Sequence, residues 1–346
     1  MRKIRAGIVG LGKWAESIAA AVARGDAVEL VACTSSSNPD KAREFGERHS
    51  CKPFDTYEAM LADPSIEAVL ITSANHQHAD HAVSAAQAKK PAFVEKPIST
   101  TIPDAHRVIE ECARAGVVLS TGQMTRRMTG VRKMKALAEE GTLGEVVMSE
   151  ANFSSPTGYT VTPDNWRYSN DTCPGGPLMQ LGVHTADALA YLLGDIDRIQ
   201  AAARRAVVET EIDTLTGTLI EFRSGAIGYL GSNFVSAPLF YLNLHGTEAN
   251  ANFSVMSDAF PWSRTDQLDE NSVLEIHKRG SAERETIPLR GGDVLREELE
   301  EFARCIREGG TPEVGGWEGL VALGVVLASF GAAHSGQAID FPKFIQ

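Results

Sequence analysis

The chain has 346 residues, of which 43% are hydrophobic and 23% charged, and this composition excludes a mainly disordered protein. The length exceeds what one compact core usually serves, so we expect two domains. A net charge of −12 disfavours nucleic acid or an anionic membrane as a bulk partner. We expect no apolar run of the roughly 18 residues that span a membrane. Five widely spaced cysteines indicate reduced thiols and a cytoplasmic protein.

The first stretch, "IRAGIVGLGKWAESIAAAVA", predicts a buried strand, a glycine turn and a helix. Gly10, Gly12 and Ala15 fit the dinucleotide-binding pattern G-x-G-x-x-[GA]. The first glycine permits a tight turn, the second lets the backbone approach a pyrophosphate, and the third position must be small for helix–strand packing. The helix N-terminus favours phosphate groups, and Lys13 adds positive charge. A tight turn without a nucleotide is the alternative.

Strands and helices then alternate. "VELVACTSSS", "EAVLITSA", "AFVE" and "VVLST" predict strands, and "DKAREFGERH", "ADHAVSAAQAKK" and "PDAHRVIEECARAG" predict the helices between them. Asn38 and Pro39 are typical of a helix start. This alternation predicts a doubly wound parallel sheet, with ligands at the carboxyl ends of its strands.

Polar residues follow three of these strands, at Ser35–Ser37, Ser73–Asn75 and Glu95–Pro97. Lys96 lies where a bound cofactor would lie, and desolvation or a nearby cation would lower its pKa toward the range useful for proton transfer. A surface lysine in a proline turn is the alternative. His76, His78 and His81 are close in sequence, but without a matching carboxylate or cysteine we expect a helix start or cofactor edge rather than a metal site.

In the second half, "GGPLMQLGVHTADAL" predicts an apolar helix after a glycine-rich turn. Gln180, His184 and Asp187 would form one polar stripe, because side chains three and four residues apart share a helix face. Such a stripe is either a satisfied core network or a site. Further on, "TLTGTLIEF", "GAIGYLGSNF" and "FYLNLHG" predict the strands of a meander. A second subunit is one way to cover a large sheet face.

The fingerprint, "VEKP" and "GGPLMQLGVHTAD" together resemble the Gfo/Idh/MocA family of sugar and inositol dehydrogenases, and "SANHQH", "NWRY" and "LHGTEANANF" extend the resemblance along nearly the whole chain. It implies an α/β protein with an N-terminal Rossmann domain (1–122) and a C-terminal α+β domain (123–346). The second domain would carry an open, mostly antiparallel sheet that binds substrate and pairs subunits into a homodimer or homotetramer.

The resemblance also implies roles for individual residues. Lys96 and His184 would be catalytic, the histidine exchanging a proton with the substrate hydroxyl and the lysine polarising that oxygen. Asp187 would act directly, hold the helix or orient His184. The implied cofactor-binding residues are Gly10, Gly12, Lys13, Trp14, Ala15, Ser35, Ser36, Ser37, Ser73, Asn75, His78, Glu95 and Lys96. The implied substrate-binding residues are Arg127, Trp166, Arg167, Gln180 and His184, with Tyr159 and Asp164 as further candidates.

The sequence departs from the family at three positions near the expected cleft. Gln180 stands where inositol dehydrogenase-like members have aspartate, Ala74 replaces a proline, and Pro177 replaces a glycine. A glutamine hydrogen-bonds but carries no charge. A Lys–Asp–His relay is therefore incomplete, and the identity of the substrate is open.

The segment after the second predicted strand bears on the choice of cofactor. NAD selectivity usually needs an acidic residue there, and none precedes Asp40. Serine hydroxyls and Asn38 instead favour a 2′-phosphate, so we expect NADP, with NAD possible. The expected reaction is hydride transfer between NAD(P) and a secondary alcohol or ketone of a sugar, cyclitol or polyol. The alternatives are glycoside cleavage through transient oxidation, and a sensor that binds the dinucleotide without turnover.

Overall fold

The computed structural model describes residues 2–35, 38–256 and 264–346. Ser36 and Ser37, two of the expected cofactor-binding residues, lie outside the described residues. The chain forms two compact units. The first contains Met1–Gln123, Trp262–Thr265 and Asp293–Leu320, and the second contains Met124–Pro261, Asp266–Gly292 and Val321–Gln346.

The first unit is built on a six-stranded parallel sheet in the order β3-β2-β1-β4-β5-β6. This is the strand order of a Rossmann fold, in which the order reverses beside β1. Its elements are β1 (Ile4–Val9), α1 (Lys13–Arg24), β2 (Val28–Thr34), α2 (Pro39–His49), β3 (Lys52–Phe54), α3 (Tyr57–Ala62), β4 (Ala68–Ile71), α4 (His78–Gln87), β5 (Ala92–Glu95), α5 (Ile102–Ala115) and β6 (Leu119–Gly122). The predicted parallel sheet is confirmed.

Local chemistry explains where these elements begin. The Asn38 side chain accepts hydrogen bonds from the backbone N–H groups of Asp40 and Lys41, which starts α2. Thr101 caps α5 in the same way. All four residues of β4 and of β5 are buried, as expected for central strands covered on both faces.

The second unit is built on a nine-stranded, mostly antiparallel sheet in the order β14-β13-β12-β11-β7-β10-β9-β8-β15. The remaining helices and strands of the chain, of which α8 belongs to the first unit, are α6 (Thr129–Glu139), β7 (Val146–Ser154), α7 (Val183–Leu193), β8 (Ile196–Arg204), β9 (Leu215–Phe222), β10 (Ile227–Asn233), β11 (Leu239–Gly246), β12 (Ala249–Val255), β13 (Ser272–Lys278), β14 (Glu285–Ile287), α8 (Val294–Glu308), α9 (Gly316–Ser335), β15 (Ile339–Asp340) and α10 (Phe341–Phe344).

The meander prediction is wrong between its second and third strands. β9 and β10 pair as predicted, but β7 lies between β10 and β11, parallel to the first and antiparallel to the second. Which strand pairs with a given edge depends on residues that are far apart in the sequence, and β7 precedes β10 by more than seventy residues. Sequence alternation defines a strand and its buried face, but not its neighbour.

One segment departs from the simple division after residue 122. Asp293–Leu320 belongs to the first unit, because the amphipathic helix α8 packs its apolar face against α1. Arg24 of α1 donates two hydrogen bonds to Asp293, at 2.7 and 3.1 Å. Beside β6, Thr121 donates its backbone N–H to the carbonyl of Val314 and its hydroxyl to that of Gly315.

The helix α9 corrects the expectation that no apolar run is long enough to span a membrane. It is long and apolar enough to pass the length and composition test for a membrane span, but 61% of the tested window is buried inside the protein. Its apolar residues, including Leu323 and Val326, are core residues.

Candidate active site

The glycine turn after β1 has the geometry that a dinucleotide requires. Gly10 has φ +90°, and a methyl group there would lie 2.3 Å from backbone atoms of Ser73, so only glycine fits. At Gly12 an added methyl group would meet no atom within 4 Å. Gly12 precedes α1, whose N-terminus has no side-chain cap, and Ala15 is fully buried. An open backbone surface at a helix N-terminus fits a pyrophosphate.

Polar side chains cluster at the carboxyl ends of the neighbouring strands. Ser35 and Asn75 are buried, and the Ser73 hydroxyl lies 2.9 Å from the Nδ1 atom of His81. The Thr72 hydroxyl donates to the carbonyl of Gly10 at 2.8 Å, which ties the glycine turn to the end of β4. Lys13 is exposed and Trp14 is half-buried at the start of α1.

His78 lies beneath this edge of the sheet. It is 1% exposed, its Nδ1 atom is 2.7 Å from the carbonyl oxygen of Pro97, and its Nε2 atom is 2.9 Å from that of Ser73. Burial lowers the pKa of His78 to about 4, so the ring is neutral near pH 7 and donates to one of the two carbonyls at a time. These contacts join the turn after β4 to the turn that carries Lys96. A role of His78 in cofactor binding stays a prediction.

Glu95 ends β5 as a buried carboxyl group. One of its oxygens accepts the backbone N–H of Lys96 at 3.2 Å. Burial raises the pKa of Glu95 to about 7, against the opposing effects of the Trp14 indole and Lys96. A methyl group on Gly122 would lie 2.9 Å from its other oxygen, so the glycine leaves room for the carboxyl group. Neither the Trp14–Glu95 contact nor the need for glycine at 122 is visible in the sequence.

In the second unit, His184 lies in the first turn of α7. The side chain is 2% exposed, and its ring centroid is 6.0 Å from that of Phe153. Three residues further on, Asp187 accepts two hydrogen bonds from the Arg126 guanidinium, at 2.8 and 2.6 Å. Arg126 also lies over the Tyr191 ring, 5.1 Å from its centroid. Sequence reasoning missed Arg126; a buried aspartate on an apolar helix, which requires a partner, is the signal that could have pointed to it.

The predicted helix differs at its start. Leu178–Gly182 forms a π-helical turn, in which the backbone N–H of Val183 bonds to the carbonyl of Leu178, and the α-helix begins only at Val183. The predicted start of the α-helix is therefore wrong by one turn, whereas the common face of Gln180, His184 and Asp187 stays a prediction. Gln180 accepts the Arg167 Nε–H at 3.1 Å and donates to the Cys173 sulfur at 3.4 Å.

The remaining substrate-binding candidates lie in this second unit. Trp166 and Arg167 form a stacked pair, with the guanidinium carbon 4.2 Å from the ring centroid. Arg127 is buried in the turn Met124–Arg127. Tyr159 is exposed, and Asp164, also exposed, accepts the Thr162 hydroxyl at 2.5 Å.

A Rossmann sheet with an open glycine turn defines a dinucleotide-binding protein, and comparison with known proteins gives its family. The NAD-binding Rossmann-fold domain of the GFO/IDH/MocA oxidoreductases matches residues 4–123, and the C-terminal domain of that family matches residues 131–252. The chain belongs to the GFO/IDH/MocA family of NAD(P)-dependent oxidoreductases, and the predicted resemblance is confirmed.

Similar proteins cover nearly the whole chain. D-xylose 1-dehydrogenase [NADP(+)] of Haloarcula marismortui is 26% identical over 96% of this chain and 91% of its own length. Myo-inositol 2-dehydrogenase of Thermotoga maritima is 28% identical, over 92% and 93%. The crystal structure of a candidate NADPH-dependent oxidoreductase from Desulfitobacterium hafniense DCB-2 is 35% identical, covers 100% of both chains and superposes with a TM-score of 0.96.

Proposed function

We propose that the protein transfers a hydride between NAD(P) and a secondary alcohol or ketone of a sugar, cyclitol or related polyol. The observation that carries the proposal is the presence of Lys96 at the end of β5 and of His184 in the first turn of α7, in a chain of this family. The named relatives are dehydrogenases of a sugar and of an inositol, which favours dehydrogenation over glycoside cleavage or a role as a sensor.

In this proposal, separate groups of residues bind the cofactor, transfer the proton and bind the substrate. The glycine turn and the N-terminus of α1 hold the pyrophosphate, with Lys13 adding charge. When bound, NAD(P) would supply the hydride acceptor for the oxidation of an alcohol. His184 takes the hydroxyl proton, and Lys96 hydrogen-bonds the same oxygen, so that the products are a ketone and reduced cofactor. Arg127, Trp166 and Arg167 bind the other polar groups of the substrate.

The test is a panel of polyols and keto-sugars with both cofactors, followed by absorbance of the reduced nicotinamide. Lys96→Ala and His184→Asn should each slow the chemical step by roughly two orders of magnitude or more, the usual contribution of general acid–base catalysis. Cofactor titration by fluorescence should show that both variants still bind NADP. Near-normal turnover of Lys96→Ala would overturn its assignment, and cofactor binding without turnover of any panel member would favour a sensor.

We propose that the cofactor is NADP(H), with NAD(H) as a weaker ligand. The support is the absence of a carboxylate before Asp40 in the sequence that follows β2, since an acidic side chain there would repel a 2′-phosphate. Lys41 at the start of α2 can add positive charge, whereas Arg43 forms an ion pair with Asp40.

We also propose a cytoplasmic homodimer or homotetramer. All five cysteines are buried and none is in a disulfide bond, which suits a reducing compartment. Met148, Leu219, Ile227 and Tyr229 are exposed apolar residues on neighbouring strands. Ile227 pairs with Met148 and Tyr229 with Leu219, so they form one patch, which a second copy would cover. With the net charge of −12, we propose no nucleic acid or membrane as partner.

A further inference from the structure

Arg167, in the second unit, carries a positive charge that its surroundings do not neutralise. Arg167 follows Trp166 in a loop that is fixed by its own hydrogen bonds. Its backbone N–H donates to the Asn165 side chain at 3.0 Å, and the carbonyl of Trp166 accepts the Thr172 hydroxyl at 2.5 Å. The loop therefore holds Arg167 in place without using its charge.

The guanidinium is held by two neutral groups. Its plane stacks on the Trp166 ring, and its Nε–H donates to the Gln180 side-chain oxygen at 3.1 Å. The Gln180 amide nitrogen is held in turn by the Cys173 sulfur, and Gln180 is only 8% exposed. The orientation of this glutamine is thus fixed, with its oxygen toward the arginine.

No carboxylate within the described ranges comes within ion-pair distance of Arg167. The nearest acidic side chains in sequence have other roles: Asp164 accepts the Thr162 hydroxyl, and Asp187 binds Arg126. Arg167 is half-buried, so its charge is only partly solvated, and this burial lowers its pKa. A partly buried charge without a counter-ion is costly, so the site is prepared for an anion from outside the chain.

The unused donors define the shape of that anion. A guanidinium has five N–H groups in a planar fork, and the hydrogen bonds of the described residues use one of them, on Nε. The donors on the two terminal nitrogens remain for a ligand, and a carboxylate or phosphate accepts such a pair in parallel hydrogen bonds. Gln180, which fixes this fork, lies on the π-helical turn that leads directly into α7 and His184.

From these contacts we infer that the substrate carries an anionic group, a carboxylate or a phosphate, which Arg167 binds while His184 handles the proton of a hydroxyl on the same molecule. The inference rests on the proposed function and narrows its substrate class from neutral polyols to sugar acids or sugar phosphates. Gln180 is the residue that makes the site selective, because an aspartate there would neutralise the guanidinium.

The test uses the enzyme loaded with NADP and matched sugars that differ only in the group at C6, which is anionic or neutral. D-glucuronate and D-glucose 6-phosphate are compared with D-glucose, and D-galacturonate with D-galactose. The first readout is protection against thermal unfolding, and the second is turnover. We expect at least one anion to bind or react at least tenfold better than its neutral match, the scale of a charge-assisted hydrogen-bond pair. The uronate and phosphate arms separate the two anions.

Two variants and one control localise the effect. Arg167→Gln should reduce the preference for the anion to near unity. Gln180→Asp should also abolish most of the anion preference. Gln180→Asn, which has the size of aspartate but no charge, should keep it. Equal or better binding of the neutral sugars by the unmodified protein, or an anion preference that survives Arg167→Gln, would overturn the inference. Turnover of neutral polyols alone would contradict the anion site but not the proposed function. If the protein bound the anions but no probe reacted, only the proposed function would be refuted.

Discussion

Arg126 and Asp187 form a buried, two-pronged ion pair at 2.8 and 2.6 Å, with side chains that are 7% and 0% exposed. The pair fastens the turn Met124–Arg127 to α7 one helical turn beyond His184. Asp187 therefore has a structural partner of its own, which favours the positioning role over direct chemistry among the alternatives that the sequence left open.

Removing one member of this pair should destabilise the protein strongly. Arg126→Ala or Asp187→Ala leaves an uncompensated buried charge, and we expect a loss of about 3–5 kcal/mol in the free energy of unfolding. Replacing both by Met and Leu should cost less than the sum of the single changes. Urea unfolding measures all three. As a control, Arg223→Ala, which breaks an exposed pair with Asp195, should cost less than about 1 kcal/mol; similar costs at both sites would contradict the prediction.

The two glycines of the fingerprint should behave differently. Gly10→Ala places a methyl group against the Ser73 backbone at a positive φ, so we expect a loss of stability of more than about 1 kcal/mol. Gly12→Ala meets no protein atom and should unfold normally but bind NADP at least tenfold more weakly, because its methyl group occupies the space expected for the pyrophosphate. Thermal unfolding and fluorescence titration separate the two effects. Unchanged binding by Gly12→Ala would argue against this placement of the cofactor.

Glu95 should make stability depend on pH. An unfolded glutamate titrates near pH 4.5, whereas burial raises the folded pKa to about 7. Between these values the folded protein binds a proton that the unfolded chain has released, so this group's contribution to stability is lost as pH rises, by a total of about 3 kcal/mol. His78 acts in the opposite direction below pH 6.5. The informative quantity is thus the difference between unmodified protein and Glu95→Gln in urea unfolding from pH 4.5 to 7.5, and a flat difference would refute the assignment.

The exposed patch on β7, β9 and β10 predicts self-association. Tyr229→Glu should convert the oligomer to a monomer of 37.2 kDa in sedimentation at micromolar concentration, because it buries a charge if subunits pair there. Trp317→Glu changes a more exposed aromatic residue outside the patch and should leave the oligomer intact. A monomeric unmodified protein would contradict the proposal.

Cofactor preference can be tested in the serine segment that follows β2 in the sequence. Ser36→Asp introduces the acidic group that is typical of NAD-binding relatives, and it should weaken NADP(H) binding at least tenfold while changing NAD(H) binding much less. Fluorescence titration with both cofactors measures this. If the unmodified protein bound NAD(H) tenfold more tightly than NADP(H), the preference proposed here would be wrong.

The sequence predicts best those features that depend on near neighbours in the chain. The turn at Gly10, the Asn38 cap and the buried strands β4 and β5 each follow from a few consecutive residues. β3 and α3 were missed because three and six residues are too short for a periodic pattern. The insertion of β7 beside β10 and the pairing of Arg126 with Asp187 depend on residues far apart in sequence. The π-helical turn was missed because its composition is that of any apolar helix.

The return of Asp293–Leu320 to the first unit has a consequence for synthesis of the protein. Domains generally fold on the ribosome from the N-terminus, as each is completed. Here the Rossmann sheet is translated within the first 122 residues, but the helix that covers α1 and the carbonyls that bond beside β6 are made only after residue 293. The nucleotide-binding half therefore reaches its native packing only after residue 320 has been made, and the nascent chain must keep the apolar face of α1 from aggregating until then.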